Sequence, residues 1–133
     1  MRKILVVLGA VALGIVSFTL PGEARVKAPA PMLSHDVYFT LNDNSPQEKA
    51  KLVGLCQKYL RGHDGVVFFG AGPLAAELKR EVNDLKFDVA LHIVFKDMAA
   101  HDKYQVAPRH EEFIKEGKSG WKEVRVFDSF ITK

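Results

Sequence analysis

Phe87-Asp88-Val89-Ala90-Leu91-His92-Ile93-Val94-Phe95 alternates along its whole length. Phe87, Val89, Leu91, Ile93 and Phe95 fall on one face, and Asp88, Ala90, His92 and Val94 on the other, which is the period of a β-strand with one buried side. Outward from this strand, Val66-Val67-Phe68-Phe69-Gly70 predicts a neighbour that is apolar on both faces. Leu33 to Leu41 predicts another, with Leu33, His35, Val37, Phe39 and Leu41 together, so His35 shares a buried face. Trp121 to Ile131 predicts the last.

Two helical stretches separate these strands. Ser45-Pro46-Gln47-Glu48 combines an N-cap serine, a first-turn proline and a glutamate three residues on, the pattern of a capping box. The helix it opens runs to about Arg61, with Leu52, Val53, Leu55, Cys56, Tyr59 and Leu60 at helical spacing and Gly62 placed to end it. Asp97 caps a second, shorter helix through Tyr104. Pro108 disfavours helical backbone at Ala107, so that helix ends there and another piece starts, reaching the Gly117-Lys118-Ser119-Gly120 break. Strand, helix, strand, strand, helix, strand predicts a ferredoxin-like α+β layer, one antiparallel four-stranded sheet with its helices on one face. Val66 to Phe69 cannot all point at those helices. Something must cover the surplus apolar face.

At 133 residues the chain has room for one domain. Met1-Arg2-Lys3 before the apolar run Ile4 to Leu20 has the form of an export signal, with cleavage expected after Ala24. The run falls just short of the ~20 residues that span a bilayer, so an uncleaved anchor is the alternative. The expected organisation is a signal peptide over 1–24, a linker over 25–32 and a folded domain over 33–133, secreted or periplasmic, with no stable membrane association once the signal is removed. The formal charge of +3 falls to +2 without residues 1–24, which carry Arg2, Lys3 and Glu23. No basic block is present, so a nucleic-acid partner is not expected. Cys56 is the sole cysteine, on the apolar side of its helix, and reads as a core thiol. Gly70-Ala71-Gly72-Pro73-Leu74-Ala75 imitates a dinucleotide fingerprint, but Pro73 lacks a backbone N–H and the chain cannot supply the alternating βαβ units. It reads as a strand exit into a charged segment, Glu77 to Lys86.

Tyr104-Gln105-Val106-Ala107-Pro108-Arg109-His110 sets a phenol and an imidazole six residues apart across a proline. Strand parity puts His35 on the face that needs helical cover, and Tyr104 and His110 in the segment that provides it. The three are expected to line one helix-side pocket. With Val94-Phe95-Lys96-Asp97 and Val124-Arg125-Val126-Phe127-Asp128, this Tyr-x-x-x-Pro-x-His pattern resembles the stress-responsive dimeric α+β barrel family, Dabb, from about Leu33 to Ile131. The resemblance implies two subunits packed sheet to sheet as a dimeric α+β barrel. It also implies a likeness to plant polyketide cyclases of the family, in which His110 would be the general base, Tyr104 its hydrogen-bonding partner and His35 a further polar wall.

Three functions compete on such a fold. One is binding of a small, largely apolar molecule in the helix-side cavity. Another is acid–base catalysis of the aldol or lyase type, with His110, Tyr104 and His35 as catalytic residues. The third is a haem or metal protein. His35, His92, His101 and His110 show no ligand spacing such as H-x-x-x-H, so no metal ligands and no cofactor are expected. His63 and His101 are expected to be solvated, and His92 to be a satisfied sheet residue.

Overall fold

The computed structural model describes residues 28–132, so the expected signal segment and its cleavage point lie outside the described residues. β1 (Met32–Leu41), α1 (Pro46–Tyr59), β2 (Val66–Pro73), β3 (Val89–Phe95), α2 (Met98–Gln105), α3 (Pro108–Gly117) and β4 (Trp121–Ile131) follow in order, with one 3-10 turn, Lys118–Gly120, before β4. The four strands form one sheet in the order β2-β3-β1-β4, with antiparallel neighbours throughout. This is the expected ferredoxin-like layer.

The caps predicted from sequence are formed. Ser45 Oγ accepts from the Glu48 N–H at 3.4 Å, and Asp97 Oδ1 from the Ala100 N–H at 2.8 Å. Ala107 is extended, with ψ at 136°, and Pro108 opens α3. Parity also holds in the central strands: Leu33, Val37, Phe39 and Leu41 of β1 and Val89, Leu91, Ile93 and Phe95 of β3 are buried under the helices. Leu52, Leu55, Cys56 and Leu60 of α1 and its C-cap, together with Tyr104 and Phe113, close the core over them.

Three local expectations need correction. β2 runs past Gly70 to Pro73, so the Gly-Ala-Gly-Pro run is strand backbone paired with β3 and not a loop able to cradle phosphate. β3 begins at Val89, because Asp88 leaves the ladder to act as a bracket: its N–H donates to Phe39 O at 2.8 Å and its carboxylate accepts from the Leu41 N–H at 2.8 Å. Between Val66 and Phe68 the register slips, so Val66 stands opposite Phe95 on the helix side and Phe68 opposite Val94 on the open side.

The open face of the sheet is apolar in part. Phe68 and Phe127 are each more than half exposed there. Residues 74 to 88 form no strand or helix and fold across one end of this face, where Arg125 holds Asp84 at 3.0 Å and Lys86 O at 3.1 Å. Under that loop is a cavity of about 460 Å³, walled by Tyr38, Leu78, Val82, Phe87 and Phe127 with Arg125 at its edge. Among the described residues, no helix is long and apolar enough to cross a membrane.

Candidate functional site

His35, Tyr104 and His110 do come together on the helix side. β1 supplies His35, 5% exposed; α2 supplies Tyr104, 2% exposed; α3 supplies His110, half-buried. Ring centroids are 5.9 Å apart between His35 and Tyr104, and 4.5 Å between Tyr104 and His110. Pro108 makes the second contact possible, since the turn it forces folds α3 back so that its first residues meet the last turn of α2. Arg109 then pins α3 to the end of α1, donating to Lys58 O at 3.1 Å and Arg61 O at 2.9 Å, where unpaired helix carbonyls need donors.

The space between these side chains is filled. Phe95 packs on Tyr104 at 5.0 Å, and His63 meets the Tyr104 ring edge-on at 5.0 Å. Cavities open at the sheet face away from the helices, beside the α1–β4 junction and around Lys86. The expected helix-side pocket is therefore a packed cluster of rings. Tyr104 and His110 share no direct hydrogen bond: among the described residues, no partner meets the Tyr104 hydroxyl, and His110 Nδ1 is 3.0 Å from Gln105 O. Burial raises the Tyr104 phenol well above its ordinary value.

That His110 bond has a chemical consequence. A carbonyl can only accept, so Nδ1 carries the proton and Nε2 keeps its lone pair in the neutral ring. Desolvation lowers the pKa of His110 from 6.5, against the raising effect of the Gln105 carbonyl, and the nearby His35 and His63 lower it further. The ring is thus a neutral base at pH 7 with one nitrogen available.

Two histidines are placed differently from expectation. His63 is half-buried: its Nε2 donates to Tyr59 O at 2.8 Å, and the turn carrying it is pressed onto α2. At Gly65, with φ at +82°, a Cβ would come within 2.5 Å of Ala100 Cβ, so only glycine allows that approach. His101 leaves only 14% of its side chain exposed and stacks near His35, with centroids 5.3 Å apart. His35 Nδ1 lies 2.7 Å from Asp128 Oδ1 on β4. No spacing rule linked positions 35, 63, 101 and 128; the signals available for Asp128 were its parity on the last strand and its place at the end of the Val124–Asp128 stretch. His92, on the open face, pairs with Asp36, which also accepts from Ser34 Oγ at 2.9 Å.

Residues 33–131 match the model of the Stress responsive A/B Barrel Domain, Dabb. The chain belongs to this family. Among solved structures, the Dabb domain resembles a Dabb family protein with a ferredoxin-like fold from Mesorhizobium loti at 22% identity and a TM-score of 0.62, covering 77% of this chain and 99% of that one. A dimeric ferredoxin-like protein of unknown function from Thermobifida fusca matches at 13% identity and a TM-score of 0.64, over 77% and 92% of the two chains. The hydroxynitrile lyase of Passiflora edulis matches at 18% identity and 0.63, over 79% and 97%. At these identities the likeness is one of fold. No curated protein sequence matches the chain.

Proposed function

We propose that this Dabb protein is exported, forms a homodimer and binds a small, largely apolar molecule at the helix-side cluster, with His110 as its polar anchor. The observation that carries the reading is the Nε2 of His110, which has no hydrogen-bond partner among the described residues, a neutral acceptor on a half-buried ring beside Tyr104, itself in contact with His63. A ligand hydroxyl donating to that nitrogen would lay its apolar part against the aromatic edges, displacing the packing that now fills the site.

The same nitrogen favours a second reading, in which His110 takes a proton from the bound molecule. In aldol or lyase chemistry a base removes a hydroxyl proton, the adjacent C–C bond breaks, and a carbonyl compound and a carbanion-type leaving group result. Tyr104, kept protonated by burial, and His35 would orient the substrate. The hydroxynitrile lyase on this fold makes cyanohydrins the first substrate class to test.

Both readings are tested with the purified chain against a panel of small aromatic alcohols, aldehydes and cyanohydrins. Binding is read by chemical-shift changes at the His110 and Tyr104 rings, turnover by aldehyde absorbance. Binding without turnover supports the first reading, and turnover abolished by His110→Ala supports the second. A panel that leaves both rings unmoved removes both. Export is tested by intact mass, which should place the mature N-terminus near Arg25.

The homodimer is supported by the exposed Phe68 and Phe127 on the open face and by the dimeric state of the Thermobifida protein.

A further inference from the structure

His35 turns its Nδ1 to Asp128, within a second group of polar side chains at the border between β1, β4 and α2. His35, His101 and Asp128 each bring one ligand-type atom to within 4.8 Å of the other two. Two imidazoles and one carboxylate are a donor set that first-row divalent ions favour. The side chains grade outward, 6% exposed at His35, 14% at His101 and 46% at Asp128, so the group has a buried floor and an open side. That open side exists because the helices stop short of the edge strand: Val126 and Phe130, on the same face of β4 as Asp128, are about half exposed or more.

Hydrogen bonding ties two of the three to each other and leaves the third apart. His35 and Asp128 satisfy each other at 2.7 Å, and His101 bonds to neither. Its nitrogens are held separately, Nδ1 at 3.2 Å from Asp102 Oδ1 and Nε2 at 3.0 Å from the Gln105 amide. Whichever nitrogen turned to an ion, the other would keep a partner that orients the ring, the arrangement found behind ligating histidines.

We propose that His35, His101 and Asp128 bind one divalent first-row transition ion, zinc in the first instance, with solvent completing its coordination. The ion takes the place of the proton shared by His35 Nδ1 and Asp128. Tetrahedral zinc, with bonds of about 2.0–2.2 Å, sets its donors roughly 3.3 Å apart. The His35–Asp128 pair must therefore open by about half an ångström and the remaining donor must close in by up to ~1.5 Å, movements within reach of the partly exposed His101 and Asp128 side chains. The site shares His35 with the catalytic reading above but not His110 or Tyr104, and metal binding is read without any organic ligand, so the two can fail separately.

The test uses the full chain stripped with EDTA, titrated with zinc by calorimetry and with cobalt by visible absorption. One saturable ion per chain is expected, with cobalt bands of a four-coordinate site that zinc displaces. Asp128→Asn and His101→Gln should each weaken binding by roughly tenfold or more with an unchanged circular dichroism spectrum, while His110→Ala leaves it intact. Should one of the two ligand variants misfold, the other decides. Absence of saturable binding, or binding that a folded ligand variant retains in full, overturns the site. So does loss in His110→Ala with retention in His101→Gln.

Discussion

The rings of Tyr104 and His110 stand 4.5 Å apart and 47° from parallel, although they belong to different helices separated by Pro108. They differ in what surrounds them. Tyr104 is a core side chain whose hydroxyl has no partner among the described residues, whereas His110 is half-buried and tied to Gln105 O. Tyr104→Ala should therefore cost about 3–5 kcal/mol, as large aromatic truncations do, and Tyr104→Phe less than about 1 kcal/mol. His110→Ala should fall between them, at roughly 1–2 kcal/mol. Urea denaturation of the three variants measures all of this, and a Tyr104→Phe loss as large as that of Tyr104→Ala would contradict the placement of the hydroxyl.

The depressed pKa of His110 makes stability depend on pH with a definite sign. The folded state holds its proton less tightly than the unfolded chain, where the ordinary 6.5 applies. Its contribution is fully present above that value and is lost as pH falls through the lower folded one. The urea midpoint of the wild type should drop between pH 7 and pH 5 more steeply than that of His110→Gln. Parallel curves would show that His110 titrates alike in both states.

The register slip in β2 separates two positions that alternation alone treated as equivalent. Phe68, on the open face and 56% exposed, should hold the dimer, and Phe68→Glu should yield a folded monomer by light scattering. Val66 shares the face of Phe95, so Val66→Glu should lower the denaturation midpoint instead. A Phe68→Glu protein with the wild-type mass in solution would place the interface elsewhere.

Cys56 is fully buried, and burial pushes its thiol up to about 12. At pH 8 this leaves about a thousandfold fewer thiolates than the ordinary 9.0 would allow. The native protein should resist aromatic disulfide reagents and react stoichiometrically once unfolded. Rapid labelling of the native state would mean that α1 opens readily.

Much of the architecture follows from short-range rules legible in the sequence. Ser45 and Asp97 cap helices because their side chains reach an N–H three residues away, Pro108 restricts the residue before it, and the parity of β1 puts His35 under the helices. Those same rules brought Tyr104 and His110 to one place. They could not tell a cavity from a packed cluster, because His63 and Phe95 enter from a glycine turn and another strand. Nor could they join His35 to Asp128 and His101, since which residue of β4 stands opposite His35 depends on the pairing register, and the approach of His101 on the docking of α2. The slip at Val66–Phe68 is of the same kind. Local sequence chooses elements and faces, because the forces involved act across a few residues. Register, filling and the partners of a buried imidazole are chosen when distant segments compete for the same space, and only the folded chain resolves that competition.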